Sequence, residues 1–348
     1  MRTYPINEEE NPKSHYRRWH LPVLLVLIVA TVLIIRRHTA EGDASRTETA
    51  TFRSEEGGVF GTLYHIKYRS SEDLSEEIQQ ELKGVDGSLS MFNPQSTISR
   101  INRGESTETD SLLEVVWALS QGVSAATDGA FDPTCAPLVN AWGFGYKNGA
   151  LPTDAQVDSL RALVGWQRIR ISDGQLTKED SLMVLDFSAV AKGFGVDCVA
   201  EMLASHGVED YMVEIGGEIV CHGKNPDGKP WHIGINKPTL ENDTQVVIEM
   251  NDCALATSGN YRNYREENGM RIAHTIDPQS GRPVQHSLLS STVWAPSCAM
   301  ADAYATSFMV MGIEKAKALL EQHPELKAYF IYDEGGENKV WTNYPIED

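Results

Sequence analysis

The chain has 348 residues, of which 41% are hydrophobic and 23% charged, and this composition is typical of a globular protein. Its net charge of −19 disfavours nucleic acid as the main partner, because a chain of that sign repels phosphate backbones. An anionic small molecule such as a nucleotide would need a cation or a focused positive site to bind, which is a first indication of a metal.

An apolar run without charges extends over residues 21–35, with arginines on both flanks, and it predicts a hydrophobic helix. An uncleaved signal anchor and a long signal peptide are both compatible with it. Residues 38–40, His-Thr-Ala, are a poor cleavage site and favour the anchor. We predict a cytoplasmic tail over residues 1–20, a membrane anchor or signal segment over 21–37 and a polar linker over 38–56. The expected location is the inner membrane, crossed once, with the domain on the periplasmic side.

The folded domain is predicted over residues 57–348. A strand is indicated over Val59–Tyr68, and helical spacing of apolar residues follows in three segments, Glu72–Val85, Ser111–Thr127 and Val190–His206. Short strands then dominate, at Tyr211–Ile215, Trp231–Ile235, Val246–Met250, Ile272–Ile276 and Leu289–Trp294. The last predicted elements are helices at Cys298–Met311 and Ile313–Gln322 and strands at Ala328–Tyr332 and Val340–Thr342. This mixture predicts an α+β fold rather than a regular βαβ series.

The cysteines give little functional information. They are far apart, odd in number and without the close pairs that zinc or redox motifs need. Their spacing favours buried small apolar residues, and a disulfide between two of them is possible outside the cytoplasm. The five are Cys135, Cys198, Cys221, Cys253 and Cys298.

A carboxylate and a hydroxyl lie four residues apart in the predicted helix near the C-terminus. Pro296 and Ser297 form a helix start, and Asp302 and Thr306 share a face of the helix that follows. The two side chains can converge on one hard cation together with backbone carbonyls and phosphate oxygens. Alternatively, Asp302 faces solvent and Thr306 bonds to its own helix.

A second candidate site is the junction over residues 185–197, where an apolar strand runs through a small-residue turn into a helix. Backbone N–H groups at the helix start and the ammonium of Lys192 favour an anion such as phosphate, while Gly193 and Gly195 permit close backbone approach. Alternatively, the glycines serve only tight helix packing and Lys192 is exposed to solvent.

Two further segments carry candidate residues. Over residues 127–134, turn residues surround Phe131, whose ring either covers a flat heterocycle or joins the core. Over residues 273–283, a predicted strand with a glycine turn carries His274 and Asp277. A lone strand histidine is more often structural, but a histidine and a carboxylate near a phosphate site can relay a proton from an attacking hydroxyl.

Taken together and in this order, these segments resemble the ApbE family of FAD:protein FMN transferases. The resemblance covers about Gly57 to Gly335 and comprises eight collinear motifs, at residues 61–62, 89–94, 129–132, 188–193, 214–217, 256–259 and 274–278 and at Asp302 with Thr306. Phe60 and Phe92 differ from the residues common in relatives, yet both keep apolar surface for a flavin or adenine ring.

The resemblance implies a T-fold-related α+β domain of mixed sheets with packed helices, export from the cytoplasm, and FAD as the flavin donor. It implies magnesium held by Asp302, Thr306 and the backbone carbonyl of Ala189. The implied FAD contacts carry over by position to Phe60, Met91, Phe92, Ala130, Phe131, Asp132, Lys192 and Thr275.

The implied reaction begins with attack by a threonine or serine hydroxyl of a partner flavoprotein on the FMN-side phosphorus of FAD. AMP leaves, and FMN stays attached through a phosphoester. Magnesium neutralises and positions the pyrophosphate, and His274 or Asp277 accepts the proton. The implied acceptors are subunits of membrane redox complexes or other exported flavoproteins. Three alternatives remain: an FAD pyrophosphatase, a flavin-binding protein without chemistry and a membrane-tethered interaction domain.

Overall fold

The computed structural model of the protein describes residues 50–144, 151–237, 244–260, 264–267 and 270–345. The predicted tail, the hydrophobic segment and the linker as far as residue 49 lie outside the described residues. Within the described ranges, no helix has the length and apolar character that crossing a membrane requires.

The strands, in chain order, are β1 (Thr51–Val59), β2 (Thr62–Ser70), β3 (Ile169–Ser172), β4 (Gln175–Lys178), β5 (Tyr211–Ile215), β6 (Glu218–His222), β7 (Trp231–Asn236), β8 (Thr244–Met250), β9 (Cys253–Gly259), β10 (Tyr264–Glu267), β11 (Met270–Ala273), β12 (Ile276–Asp277), β13 (Arg282–Pro283), β14 (Leu288–Ala295), β15 (Lys327–Glu334) and β16 (Glu337–Thr342). The helices are α1 (Ser75–Leu89), α2 (Thr97–Asn102), α3 (Ser111–Ala126), α4 (Ala136–Ala141), α5 (Asp154–Arg161), α6 (Ala191–Ser205), α7 (Cys298–Met311) and α8 (Ile313–Gln322). A short 3₁₀ turn covers Trp166–Arg168.

The folded domain begins earlier than the sequence predicts. β1 pairs with β2 along its whole length, from Thr51 opposite Ser70 to Val59 opposite Thr62. The predicted linker is therefore wrong over its last residues, 51–56. β1 is an edge strand whose side chains are mostly polar and partly exposed, so no apolar periodicity marks it, and its partner strand supplies the backbone hydrogen bonds.

The main sheet is antiparallel throughout, with the strand order β1-β2-β5-β6-β9-β14-β15-β16. Side chains alternate between its two faces, as β9 shows: Ala254 and Ala256 pack in the clusters that contain the helices, whereas Leu255 packs in the cluster that contains β7 and β8. The predicted α+β fold is confirmed, with helices on one face and the β7–β8 ribbon on the other.

α6 and α7 cross at unusually short distance beneath this sheet. A Cβ atom on Gly193 would lie 2.3 Å from the backbone oxygen of Cys298, so only glycine allows the two helices to meet here. Ser297 starts α7 by accepting a hydrogen bond from the N–H of Met300 at 3.2 Å. The crossing brings the first turn of α6 beside the second turn of α7, and the candidate site lies there.

Candidate active site

A cavity of about 450 Å³ lies where the start of α6, one face of α7 and the end of β9 meet. It brings together nine of the residues predicted from sequence, which come from four separate segments of the chain. They are Ala130, Phe131, Asp132, Ala189, Lys192, His274, Thr275, Asp302 and Thr306. Four predicted residues are not among its lining residues: Phe60, Met91, Phe92 and Asp277.

The helix crossing positions the charged groups of the cavity. The backbone N–H of Gly193 donates a hydrogen bond to Asp302 Oδ2 at 3.2 Å, and the Asp302 side chain is buried. Lys192 Nζ lies 3.7 Å from the same oxygen and 3.6 Å from Oε1 of Glu218. Asp302 is therefore not a solvent-facing residue, and Lys192 points into the cavity, where 27% of its side chain remains accessible.

The ammonium of Lys192 and the two carboxylates determine the electrostatics of the cavity. Burial opposes the charge on Lys192, but Asp302 and Glu218 outweigh it and raise the pKa of the ammonium above its usual range. Burial also raises the pKa of Glu218, with Asp302 adding to the rise and Lys192 opposing it. Oε2 of Glu218 is buried without a hydrogen-bond partner. The cavity thus holds a fixed cation and a carboxylate with unused acceptor capacity.

The oxygen atoms around Asp302 fit a magnesium ion. Thr306 Oγ1 lies one helical turn further along α7, 3.1 Å from Ser258 Oγ, and Ala189 lines the same cavity. Mg²⁺ is usually held by one or two carboxylates, with substrate phosphates and water completing the octahedron. In the described part of the chain, no three or more His, Cys, Asp or Glu side chains are grouped to hold a metal. The buried carboxylate of Asp302, with the Thr306 hydroxyl and Ala189 in the same cavity, is a set of residues that could hold a magnesium ion.

A second, smaller pocket of about 80 Å³ lies beside the cavity and shares Lys192 with it. Phe60, Met91 and Phe92 line this pocket, and Phe92 is 72% exposed. Three of the four predicted residues absent from the cavity are therefore grouped next to it. Their side chains give this pocket an apolar lining next to Lys192.

Phe60 has an unfavourable backbone conformation. It occupies the two-residue turn between β1 and β2 with φ of 52°, and Gly61 follows with φ of 76°. Both positive values are those of a type I′ hairpin turn, in which a bulky residue costs about 1–2 kcal/mol. Packing holds the ring in place, because a Cβ atom on Gly195 would lie 2.7 Å from Phe60 Cε2. Gly195 therefore leaves room for the Phe60 ring rather than for a ligand.

The predicted proton acceptors occupy different environments. His274 lines the cavity, and its ring packs edge-on against Phe144 with centroids 6.3 Å apart. Thr275 is buried and donates its hydroxyl hydrogen to Asn260 Oδ1 at 2.6 Å. The oxygens of Asp277 accept hydrogen bonds from the backbone N–H groups two and three residues further on, at 3.0 and 3.2 Å. The structure brings only the histidine of this pair to the cavity.

Asp132 supports the cavity wall through contacts within the chain. Its oxygens accept hydrogen bonds from the backbone N–H and the hydroxyl of Thr134 at 2.8 and 2.6 Å and from the N–H of Trp166 at 3.1 Å. Burial raises the pKa of Asp132, although these hydrogen bonds oppose the rise. The neighbouring Phe131 is 3% exposed and joins the core while also lining the cavity. The structure therefore places this ring in the core, and its contact with a flat heterocycle stays a prediction.

Residues 60–330 match the model of the ApbE family. The chain belongs to the ApbE family. It is 42% identical over 279 residues to the FAD:protein FMN transferase of Vibrio cholerae serotype O1, covering 76% of this chain and 83% of the relative. It is 35% identical over 334 residues to the FAD:protein FMN transferase of Escherichia coli K12, covering 91% and 95%.

Comparison with solved structures agrees with this assignment. The crystal structure of the apo form of Pseudomonas stutzeri flavinyl transferase ApbE is 35% identical to this chain, with a TM-score of 0.77. The superposition covers 84% of this chain and 95% of that one. The resemblance inferred from the eight motifs and the α+β fold expected from it are both confirmed.

Some residues of this ApbE-family cavity were not predicted from the sequence. Glu218, Ser258 and Asp186 all line it. Glu218 follows a turn in which Gly216 and Gly217 both have positive φ, of 64° and 103°. The two consecutive glycines could have indicated a tight hairpin turn directly before Glu218, because positive φ at both central residues of such a turn favours glycine.

Proposed function

We propose that this ApbE-family protein transfers the FMN half of FAD to a threonine or serine hydroxyl of a target flavoprotein and releases AMP. The observation that carries the proposal is the convergence of Lys192, Asp302, Thr306 and His274 in one cavity next to an apolar pocket for a flat ring. FMN transfer from FAD to protein is the activity for which the relatives are named, and membership of the family supports it for this chain.

Lys192 is the group in this cavity that suits the pyrophosphate of FAD. Its distances to the two carboxylates, 3.6 and 3.7 Å, exceed ordinary hydrogen-bond lengths, so the ammonium retains donors for a ligand. The backbone N–H groups at the start of α6 are less available. The N–H of Ala191 donates to the oxygen of Phe187 at 2.7 Å, and that of Gly193 donates to Asp302. We therefore assign phosphate binding to the side chain of Lys192.

Asp302, Thr306 and the backbone carbonyl of Ala189 are the residues that would hold magnesium. Magnesium bound there would neutralise pyrophosphate charge and favour in-line displacement at phosphorus. Because the carboxylate of Asp302 is buried and fixed by the N–H of Gly193, the protein supplies this ligand in a set position.

His274 is the proton acceptor in this proposal, because it lines the cavity and Asp277 does not. The acceptor hydroxyl attacks the phosphorus on the FMN side of FAD while its proton passes to a ring nitrogen of His274. The bond between that phosphorus and the bridging oxygen breaks, and AMP carries the bridging oxygen away. The product is FMN joined to the acceptor side chain by a phosphoester.

The direct test mixes the purified full chain with FAD, magnesium and an exported flavoprotein as acceptor, followed by intact mass measurement. The acceptor should gain the mass of one FMN, and the gain should disappear with a metal chelator. Release of FMN and AMP without any acceptor would instead identify an FAD pyrophosphatase. FAD that stays intact while bound would identify a flavin carrier, and absence of flavin binding would leave an interaction domain.

We further propose that residues 21–37 anchor the chain in the inner membrane and that the domain acts on the periplasmic side, on subunits of membrane redox complexes or other exported flavoproteins. The uncharged apolar run over residues 21–35, with arginines on both flanks, supports this arrangement. Protease added to spheroplasts should digest the domain while cytoplasmic proteins survive. A domain that resists until the cells are lysed would contradict the proposed location.

A further inference from the structure

Two of the five cysteines lie directly opposite each other on adjacent strands of the main sheet. We propose that Cys221 of β6 and Cys253 of β9 form a disulfide when the protein is exposed to an oxidising thiol–disulfide environment. The antiparallel register pairs Cys221 with Cys253, next to the pair of Val220 with Ala254. This chemistry is separate from the proposed flavin reaction.

The register places the two sulfur atoms within reach of each other. Residues directly opposite in an antiparallel pair have Cα atoms about 4.5–5.5 Å apart, within the range of about 4.4–6.8 Å that disulfides span. Both side chains also lie on one face of the sheet, since Cys221 is buried in the cluster beneath the β7–β8 ribbon and Cys253 packs against that cluster. A disulfide therefore requires rotation of side chains and little movement of the backbone.

Contacts beyond the pair hold the two strands in register. The backbone N–H of Gly223 donates to Asp252 Oδ1 at 3.2 Å, and His222 Nε2 lies 3.5 Å from the same carboxylate oxygen. The two cysteines thus lie between these contacts to Asp252 on one side and the paired residues of β6 and β9, such as Val220 and Ala254, on the other. Register slip, the usual way in which opposed residues separate, is restrained at both ends.

The remaining cysteines do not compete for either partner. Cys298 is at the start of α7 and packs in the cluster that contains Ala254, which is on the opposite face of the sheet. Cys198 lies within α6, and Cys135 precedes α4 in the cluster around Leu138. Among the described cysteines, only one pair is aligned across adjacent strands.

The bond would connect two strands that both reach the candidate active site. β6 begins at Glu218 and β9 ends at Thr257–Gly259, and all of these residues line the cavity. Between the two cysteines the chain leaves the sheet to form the β7–β8 ribbon. The disulfide would link β6 to β9 at the point where the chain leaves for the β7–β8 ribbon and returns from it. It would also fix the position of Glu218 relative to β9.

The reaction balances with a small disulfide as oxidant, such as oxidised glutathione. One protein thiolate attacks a glutathione sulfur and displaces one glutathione, and the second protein thiolate then attacks the mixed disulfide and displaces the other. Two protein thiols lose two electrons and two protons, and one glutathione disulfide becomes two thiols. Cys253 is the partly exposed member, and burial raises its pKa to about 11, so exchange in the folded protein is slow at neutral pH.

The test uses the full chain in detergent, reduced and then incubated with oxidised glutathione in mildly alkaline buffer. The intact mass should fall by two hydrogen atoms, and a non-reducing peptide map should contain a Cys221–Cys253 crosslink. The melting temperature should rise by roughly 3–6 °C over the reduced protein and return after reduction. Cys253→Ser should lose the crosslink, and the matched control Cys198→Ser should keep it. Five free thiols after oxidation, or a crosslink through another cysteine, would overturn the proposal. The peptide map of the wild-type protein gives this result even if one of the variants does not fold.

Discussion

Substitution of Gly193 tests whether the close crossing of α6 and α7 builds the cavity. The Cβ of Gly193→Ala would lie 2.3 Å from the oxygen, 2.6 Å from the carbon and 2.9 Å from the nitrogen of the Cys298–Ala299 peptide bond. These are backbone atoms at a helix start, so they cannot rotate away as a side chain can. Overpacking of this kind costs about 3 kcal/mol, the upper part of the usual range. For a domain of this size, the melting temperature should fall by roughly 5 °C.

The variant should also lose activity for a local reason. Separation of the helices removes the hydrogen bond from the Gly193 N–H to Asp302, and it displaces a proposed magnesium ligand from Lys192. Differential scanning fluorimetry and the FMN-transfer assay measure the two effects. Gly122→Ala is the matched control, because Gly122 lies inside α3 with no neighbouring atom within 4 Å, and the change should stabilise by about 0.5–1 kcal/mol. A Gly193→Ala protein with the wild-type melting temperature and rate would refute the reasoning.

Three further substitutions probe the charges of the site and one buried contact. Asp302→Asn should leave the protein folded and reduce magnesium-dependent transfer by more than about 100-fold. Loss of a residue that only supports a metal ligand costs about 10–100-fold, and Asp302 is itself a proposed ligand. Lys192→Met should destabilise the metal-free protein by about 3 kcal/mol, because two buried carboxylates lose their cation, and added magnesium should recover part of this loss. Partial burial lowers the pKa of His286, whose neutral ring accepts from the N–H of Leu288 at 3.3 Å while Nε2 lies 2.9 Å from the oxygen of Met309. Its stabilising contribution is therefore present above the unfolded pKa of 6.5 and is lost as the pH falls through the lower folded pKa.

Each of these expectations has a measurement and a contrary outcome. For Asp302→Asn, transfer rates are measured against magnesium concentration, and an unchanged rate would remove this residue from the metal site. For Lys192→Met, urea unfolding with and without magnesium gives the free energies, and equal stability to wild type would contradict the charge argument. For His286, the unfolding free energy of wild type should decrease relative to His286→Gln from about pH 7.5 to about pH 5. A constant difference would show that the ring is not held neutral.

Local signals explain what the sequence predicts correctly. α7 was predicted with its observed bounds, because Ser297 caps it through a hydrogen bond three residues away and Gly312 follows its last residue. Asp302 and Thr306 share the cavity because four residues make about one turn of any helix. Helix caps and the spacing of residues along a helix depend only on residues that are close in the chain, so one sequence is enough to predict them.

Features that depend on distant partners could not be predicted from the sequence. The sequence predicts a linker over residues 51–56 of β1, because β2 supplies the pairing that the polar residues of β1 do not indicate. From the sequence, Gly193 can serve either close approach of the backbone to a ligand or tight packing of two helices. Its short distance to the backbone of Cys298 in the structure identifies helix packing. Glu218 is a charged strand residue whose burial follows from the placement of β6 between β5 and β9.

The most direct test of the central claim measures both products of one reaction. With the full chain, FAD, magnesium and an exported flavoprotein acceptor, AMP and FMN-modified acceptor should accumulate in equal amounts at every time point. Replacing the acceptor hydroxyl residue with alanine should stop both. AMP that accumulates while the acceptor mass stays unchanged would contradict transfer to protein and indicate hydrolysis of FAD.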